Sequence, residues 1–213
     1  MNLRPPLLQT LVVAVATVLS ATESRSAVLI SNLPDTYSGF STVGNTAALA
    51  VSFRTPSVAY SVDSVTLSLS SYSTTGGDVA AVGFYTDNGG VPGTLVTTLL
   101  NNPASSSTAV ASFTFTAPSG GISLSPDTTY FLQVDRLQGS FRWNIGGGTP
   151  PSGLATFGAY VTFDRPTSTW TSSSSVKLFS IEATSVPEPQ GFTAALAAGL
   201  LGLGLWRQVR GCF

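Results

Sequence analysis

The chain has 213 residues, of which 9% are charged, and its formal net charge is −1 because nine Lys and Arg residues oppose ten Asp and Glu residues. It contains no histidine and a single cysteine, Cys212. These counts exclude Ser-His-Asp and Cys-His catalysis, the commonest metal ligand and an intrachain disulfide. The sequence also has no basic patch, which argues against nucleic-acid binding.

Residues 1–26 have the order of a secretory signal peptide. Arg4 supplies a positive charge, residues 7–19 form an apolar run, and Ser24-Arg25-Ser26 offers small residues before a cleavage site. Cleavage after Ala21 is the alternative. The apolar run is short for a membrane span, so we interpret it as an export signal.

Residues 27–183 are interpreted as one exported β domain, long enough to bury a core. Alternating apolar and Ser/Thr residues predict half-buried strands, and Gly-rich strings between them predict turns. The predicted strands are 48–53, 65–70, 79–85, 95–100, 110–116, 129–135, 141–145, 159–163 and 176–182. About nine or ten short strands without a helix favour an all-β fold, an antiparallel two-sheet β-sandwich that is jelly-roll-like.

Two strings within this domain carry a family resemblance. In residues 82–95 a strand ends in a Gly-rich turn, and Pro92-Gly93 begins the next strand; in residues 124–132 a Pro126-Asp127 turn precedes another. These strings resemble the choice-of-anchor extracellular β domains, type R in particular, over most of residues 30–184. The resemblance implies a surface domain that precedes a sorting tail, and it brings no catalytic residues with it.

Candidate catalytic groups are few. Lys177, the only lysine, follows Ser174 at Ser-x-x-Lys spacing, but the pair lies in a Ser-rich loop that enters a strand rather than on a helix. Two carboxylates flanking a cleft would suit a glycosidase. The candidates, which turn chemistry and surface pairing also explain, are Asp63, Asp78, Asp87, Asp127, Asp135 and Asp164. We therefore predict a protein that is not an enzyme.

Two ligand hypotheses remain. Asp87 and Asn88 offer oxygen ligands for calcium, but their Gly-rich surroundings favour a hairpin turn, so we expect no metal and no other cofactor. Among the aromatic residues, Trp143 alternates with core positions. Trp170 lies in the Ser/Thr-rich stretch 167–172, which predicts a loop, and is the candidate exposed platform for a ligand.

The C-terminal segment has three parts. A linker, residues 184–191, contains Pro187-Glu188-Pro189, which cannot enter a helix interior. The apolar residues 192–206 predict a helix roughly 23 Å long, which spans a bilayer marginally. Residues 207–213 form a basic tail with Arg207 and Arg210, which the positive-inside rule places in the cytoplasm.

This order resembles the PEP-CTERM sorting signal of Gram-negative bacteria, with Pro187, Glu188, Pro189, Arg207 and Arg210 at the matching positions. The resemblance implies processing by an exosortase after export. We expect the export machinery and an exosortase-like enzyme as partners, with exopolysaccharide as an additional one. The expected location is an inner-membrane intermediate, held through residues 192–206, followed by the cell surface or the extracellular space.

The function expected from these features is that of a non-enzymatic protein of the cell surface or extracellular matrix. One alternative is a carbohydrate-binding, lectin-like module. The other is a plain membrane-anchored periplasmic domain whose tail is not cleaved.

Overall fold

The computed structural model describes residues 26–100, 103–106 and 108–186. The signal peptide, the Pro187-Glu188-Pro189 motif, the apolar segment and the basic tail lie outside these ranges. The strands of the described ranges are β1 (Ser26–Ser31), β2 (Tyr37–Val43), β3 (Ala47–Arg54), β4 (Tyr60–Ser70), β5 (Val79–Asp87), β6 (Pro92–Thr98), β7 (Ala111–Thr116), β8 (Ile122–Leu124), β9 (Thr129–Gln138), β10 (Phe141–Gly146), β11 (Ser152–Gly153), β12 (Thr156–Asp164), β13 (Thr169–Ser173) and β14 (Phe179–Ser185).

The strands form two antiparallel sheets. Sheet A has the order β11-β1-β14-β4-β10-β2, and β7 and β8 also pair with β4. Sheet B has the order β13-β12-β3-β9-β5-β6. No helix occurs in the part of the chain that the structure describes. The prediction of an all-β fold with two antiparallel sheets is thereby confirmed.

The core lies between the sheets, where alternate residues of each strand turn inward. Sheet B contributes Leu49, Val51 and Phe53 from β3, all at most 1% exposed. Sheet A contributes Trp143, which is fully buried and confirms the core interpretation of this residue. Its Nε1 donates to the carbonyl of Leu178 at 2.9 Å, and its ring lies edge-on to Phe179. Trp143 therefore fills the interior without leaving its polar N–H unsatisfied.

A β-bulge at Asp63 sets the register of the long central strand β4. Against β14, Val62 pairs with Ala183 and Ser64 pairs with Glu182, so Asp63 is the extra residue. Without it, strict alternation would turn either the first or the second half of β4 away from the core. The bulge restores the inward direction for the whole strand, and the inward residues are Tyr60, Val62, Val65, Leu67 and Leu69.

The Asp63 carboxylate also joins the two end strands of the domain. Its Oδ2 accepts hydrogen bonds from the Ser26 hydroxyl at 2.8 Å and the Thr184 hydroxyl at 2.7 Å. Ser26 opens β1 and pairs with Thr184 near the end of β14. The first and last strands of the sandwich are thus linked through one side chain of β4.

The sequence pattern misses β1, β2, β8, β11 and β13, and the features of β1 and β2 show why these two were missed. In β1 a bulge places Leu29 and Ile30, which are adjacent, both in the core, so alternation is lost. In β2, at the edge of sheet A, Tyr37 and Phe40 are 45% and 41% exposed. The guanidinium of Arg142 lies 3.9 Å from the centre of the Phe40 ring and partly covers it.

The C-terminal boundary of the domain also differs from the prediction. Thr184 and Ser185 belong to β14 rather than to the linker.

We predict that Asp63→Asn destabilises the domain by about 1–2 kcal/mol, because it weakens two hydrogen bonds to a charged acceptor. Urea unfolding monitored by circular dichroism measures this free energy. The matched control is Asp127→Asn. Asp127 forms an exposed ion pair with Arg54 at 3.6 Å and has a left-handed backbone that asparagine tolerates, so its loss should cost less than about 0.5 kcal/mol. Equal effects of the two substitutions would contradict the linking role of Asp63.

Candidate functional site

Trp170 lies on a strand and not in the loop that its Ser/Thr-rich surroundings predict. The preceding turn brings the chain back as β13, where Trp170 pairs with Phe163 of β12. The two rings are 5.1 Å apart with an interplanar angle of 44°. Thr169, Thr171 and Ser172 are exposed, whereas Trp170 is partly exposed. The loop placement was therefore wrong, and the Trp170 ring rests on the surface of sheet B.

The outer face of sheet B carries a small apolar cluster of its own. Its buried members are Ala50, Phe131 and Val161, and Tyr85 and Trp170 pack against them. Ala50 pairs with Val161, so these two side chains occupy one cross-strand row. These three buried residues thus form a floor, with Trp170 near one edge and Tyr85 beyond Phe131. We call this surface, defined by Trp170, Phe163, Val161, Ala50, Gln133, Asp135, Phe131 and Tyr85, the outer B face.

Polar groups interrupt the apolar residues of the outer B face. Gln133 pairs with Ala50 on β3 and with Gly83 on β5, which places it in the middle of the sheet. The Asp135 carboxylate accepts from Nη2 of Arg165 and from the backbone N–H of Arg136. Burial, and then the negative charge of Asp135, raise the pKa of the Tyr85 hydroxyl. The outer B face therefore offers the side-chain amide of Gln133, the ion pair between Asp135 and Arg165, and the neutral hydroxyl of Tyr85.

A second polar group lies between the sheets. Lys177 is 1% exposed, and its Nζ donates to the Ser41 hydroxyl at 2.5 Å. No carboxylate of the described ranges forms an ion pair with it. The Tyr160 hydroxyl is buried and makes no hydrogen bond of good geometry with any described residue, and desolvation raises its pKa. Lys177 therefore contacts Ser41, which is itself partly buried, rather than Ser174.

Burial lowers the pKa of Lys177 to about 8 from its ordinary 10.5. Below pH 8 the folded domain holds a buried ammonium group, whereas above it the folded state releases a proton that the unfolded state keeps up to about pH 10.5. Stability therefore rises with pH across this window. We predict an increase of about 2 kcal/mol in the free energy of unfolding between about pH 7 and about pH 9.5.

Lys177→Met should remove this pH dependence, because methionine fills the space of the lysine stem without a titrating group. Urea unfolding at several pH values tests the prediction. Lys177 is the only lysine, so no other lysine contributes to the slope. Tyr160, whose raised pKa lowers stability with rising pH, acts only above about pH 10. An unchanged slope in the variant would show that Lys177 does not cause it.

The other candidate residues hold turns and neighbouring segments of the backbone together. Asp87 Oδ1 accepts from the N–H of Gly90 at 2.8 Å, and the Asn88 N–H donates to the carbonyl of Val91, so the turn interpretation of this string is confirmed. Asp78 accepts from the N–H groups of Ser73 and Ser140. Asp164 accepts from the Thr167 hydroxyl. In the described ranges no three acidic or cysteine side chains group as a metal site would require.

The sorting residues Pro187, Glu188, Pro189, Arg207 and Arg210 lie outside the described residues. Within the described ranges, no helix has the length and apolar character needed to cross a membrane.

No protein-family model matches the chain, and no curated protein matches it.

Proposed function

We propose that the chain is a non-enzymatic exported protein of the cell surface or extracellular matrix, delivered by a PEP-CTERM type tail in a Gram-negative bacterium. The observation that carries the proposal is the C-terminal order of tripeptide, apolar run and arginines. The tripeptide begins at Pro187, two residues after the end of β14 at Ser185. In the sequence, the tripeptide thus follows the last strand of the folded domain almost directly.

The contacts of the domain show how it is stabilised without a disulfide. Extracellular proteins often depend on disulfides, whereas the single cysteine of this chain excludes an intrachain one, so sheet pairing and packing must stabilise the domain. Hydroxyl groups satisfy many backbone and side-chain partners, as at Thr55, which donates to the carbonyl of Ser125 at 2.7 Å. The proposal includes the jelly-roll-like character of the sandwich, its relation to the choice-of-anchor domains and its encounter with an exosortase-like enzyme.

The first test is the C-terminal peptide mass of the protein recovered from the envelope and the medium of its own bacterium. We expect a C-terminus at or near Pro187-Glu188-Pro189 in the mature protein. Glu188→Gln should block processing and leave the chain ending at Phe213 in the inner membrane, because the motif loses its only charge.

The matched control is Glu182→Gln, which removes an exposed carboxylate from β14 and should leave processing unchanged. An intact Phe213 in the unaltered protein would overturn the sorting proposal. It would leave the plain membrane-anchored periplasmic domain in its place.

A further inference from the structure

We propose that the outer B face binds a neutral oligosaccharide, with Trp170 as the stacking platform and Gln133 as a hydrogen-bonding group. This site does not depend on how the tail is processed. It is a binding surface on the folded domain and can be tested with purified protein.

The aromatic part of the face suits the apolar side of a sugar ring. Trp170 is partly exposed, and Phe163 and Val161 support its ring from the sheet. A supported ring loses little conformational freedom when a ligand stacks on it. The C–H groups on one side of a pyranose offer the flat apolar partner that such a ring requires.

The polar part of the face lies within reach of the same ligand. Trp170 is on β13 and Asp135 is on β9, three strands away across β12 and β3. Adjacent strands are about 4.8 Å apart, so the two positions are separated by about 14 Å. Gln133 lies on β9 two residues before Asp135. This distance suits several linked sugar rings rather than one, with ring stacking at one end and hydrogen bonds at the other.

The charge of the face favours a neutral sugar. Arg165 pairs with Asp135, and both side chains are largely shielded, at 34% and 24% exposed. Tyr85 stays protonated because its pKa is raised. An acidic polysaccharide would find no unpaired cation among these residues, and the ionic partners of a nucleic acid are equally lacking there.

A neutral sugar also suits the face better than a protein partner does. Protein interfaces bury a contiguous apolar core. On the outer B face the floor residues Ala50, Phe131 and Val161 are at most 4% exposed. The accessible apolar side chains of the face include Trp170 and Leu95, which is 46% exposed and pairs with Tyr85; they lie on the two opposite edge strands, so they do not form one contiguous apolar core.

The experiment uses the full-length chain in a zwitterionic detergent that has no sugar headgroup. Isothermal titration calorimetry measures binding of hexasaccharides of β-glucan, α-mannan and β-galactan, and of an acidic hexasaccharide of polygalacturonate. We expect saturable binding of at least one neutral probe and none of the acidic probe. Trp170→Ala should weaken binding at least about tenfold, and Trp170→Phe should weaken it less.

Gln133→Leu should weaken binding about threefold to tenfold, because it removes a hydrogen bond at nearly constant volume. The matched control is Tyr37→Ala, which removes an aromatic ring that is 45% exposed on the edge of sheet A and should leave binding unchanged. Urea unfolding of each variant identifies loss of the fold, and Trp170→Phe keeps the test valid if Trp170→Ala unfolds.

Three results would overturn the inference. These are no saturable binding of any neutral probe, binding of the acidic probe alone, and neutral binding that Trp170→Ala leaves intact. Because binding is measured with purified protein, a failure here does not affect the sorting proposal, and an unprocessed tail in the cell does not affect this one.

Discussion

The bulge at Asp63 is the constraint on which the rest of the sandwich depends. Strand β4 pairs with β14 and β10 on one edge and with β8 and β7 on the other. Each neighbour takes its register from β4, so the shift of one residue at Asp63 decides which side chains of sheet A enter the core. The carboxylate at the bulge then binds Ser26 and Thr184, so the same residue sets the register and holds the two end strands.

A short segment before β14 supplies hydrogen-bond partners for buried polar groups of sheet A. Residues 176–178 insert between β10 and β4: the Leu178 carbonyl accepts from Ser68 N–H and from Trp143 Nε1, and the Leu178 N–H donates to the backbone carbonyl of Asn144. The Asn144 side chain in turn bonds to Ser68 and Ser70. These bonds satisfy polar groups that would otherwise be buried at a cost of about 1–3 kcal/mol each.

The sequence predicts the parts of the fold where alternation is unbroken. In β3, β9 and β10 residues of the central core recur at every second position, as Leu49, Val51 and Phe53 do in β3, so the positions of these strands and the burial of Trp143 follow from the pattern. Prediction fails where tertiary contacts break the period. β4 was expected to begin at residue 65 because the bulge at Asp63 interrupts its alternation. Trp170 was assigned to a loop because it lies in an edge strand whose neighbouring residues are exposed Thr and Ser, so the sequence there shows no alternation of apolar residues.

The burial of Lys177 is a second feature that alternation in the sequence could not predict. In the sequence it alternates with Val176 and Leu178, which favours a solvent-facing lysine. The bridge to Ile145 instead places it on the core side, while Leu178 is buried on the opposite side. Alternation tells which residues share a face, but it cannot tell that both faces of a segment are covered. That requires the long-range contact with Ser41, 136 residues away in the chain.

The outer B face could not be found from the sequence because its residues come from five strands, most of which are distant from one another in the chain. Trp170, Val161, Ala50 and Gln133 meet only once β13, β12, β3 and β9 are paired. The edge strand β13 pairs with β12 alone, so β12 and the following segment must hold Trp170 in place. That segment is anchored within a few residues, by the burial of Lys177 and Leu178. A ring fixed in this way can receive a ligand with little rearrangement of the sheet, which is the property that a stacking platform requires.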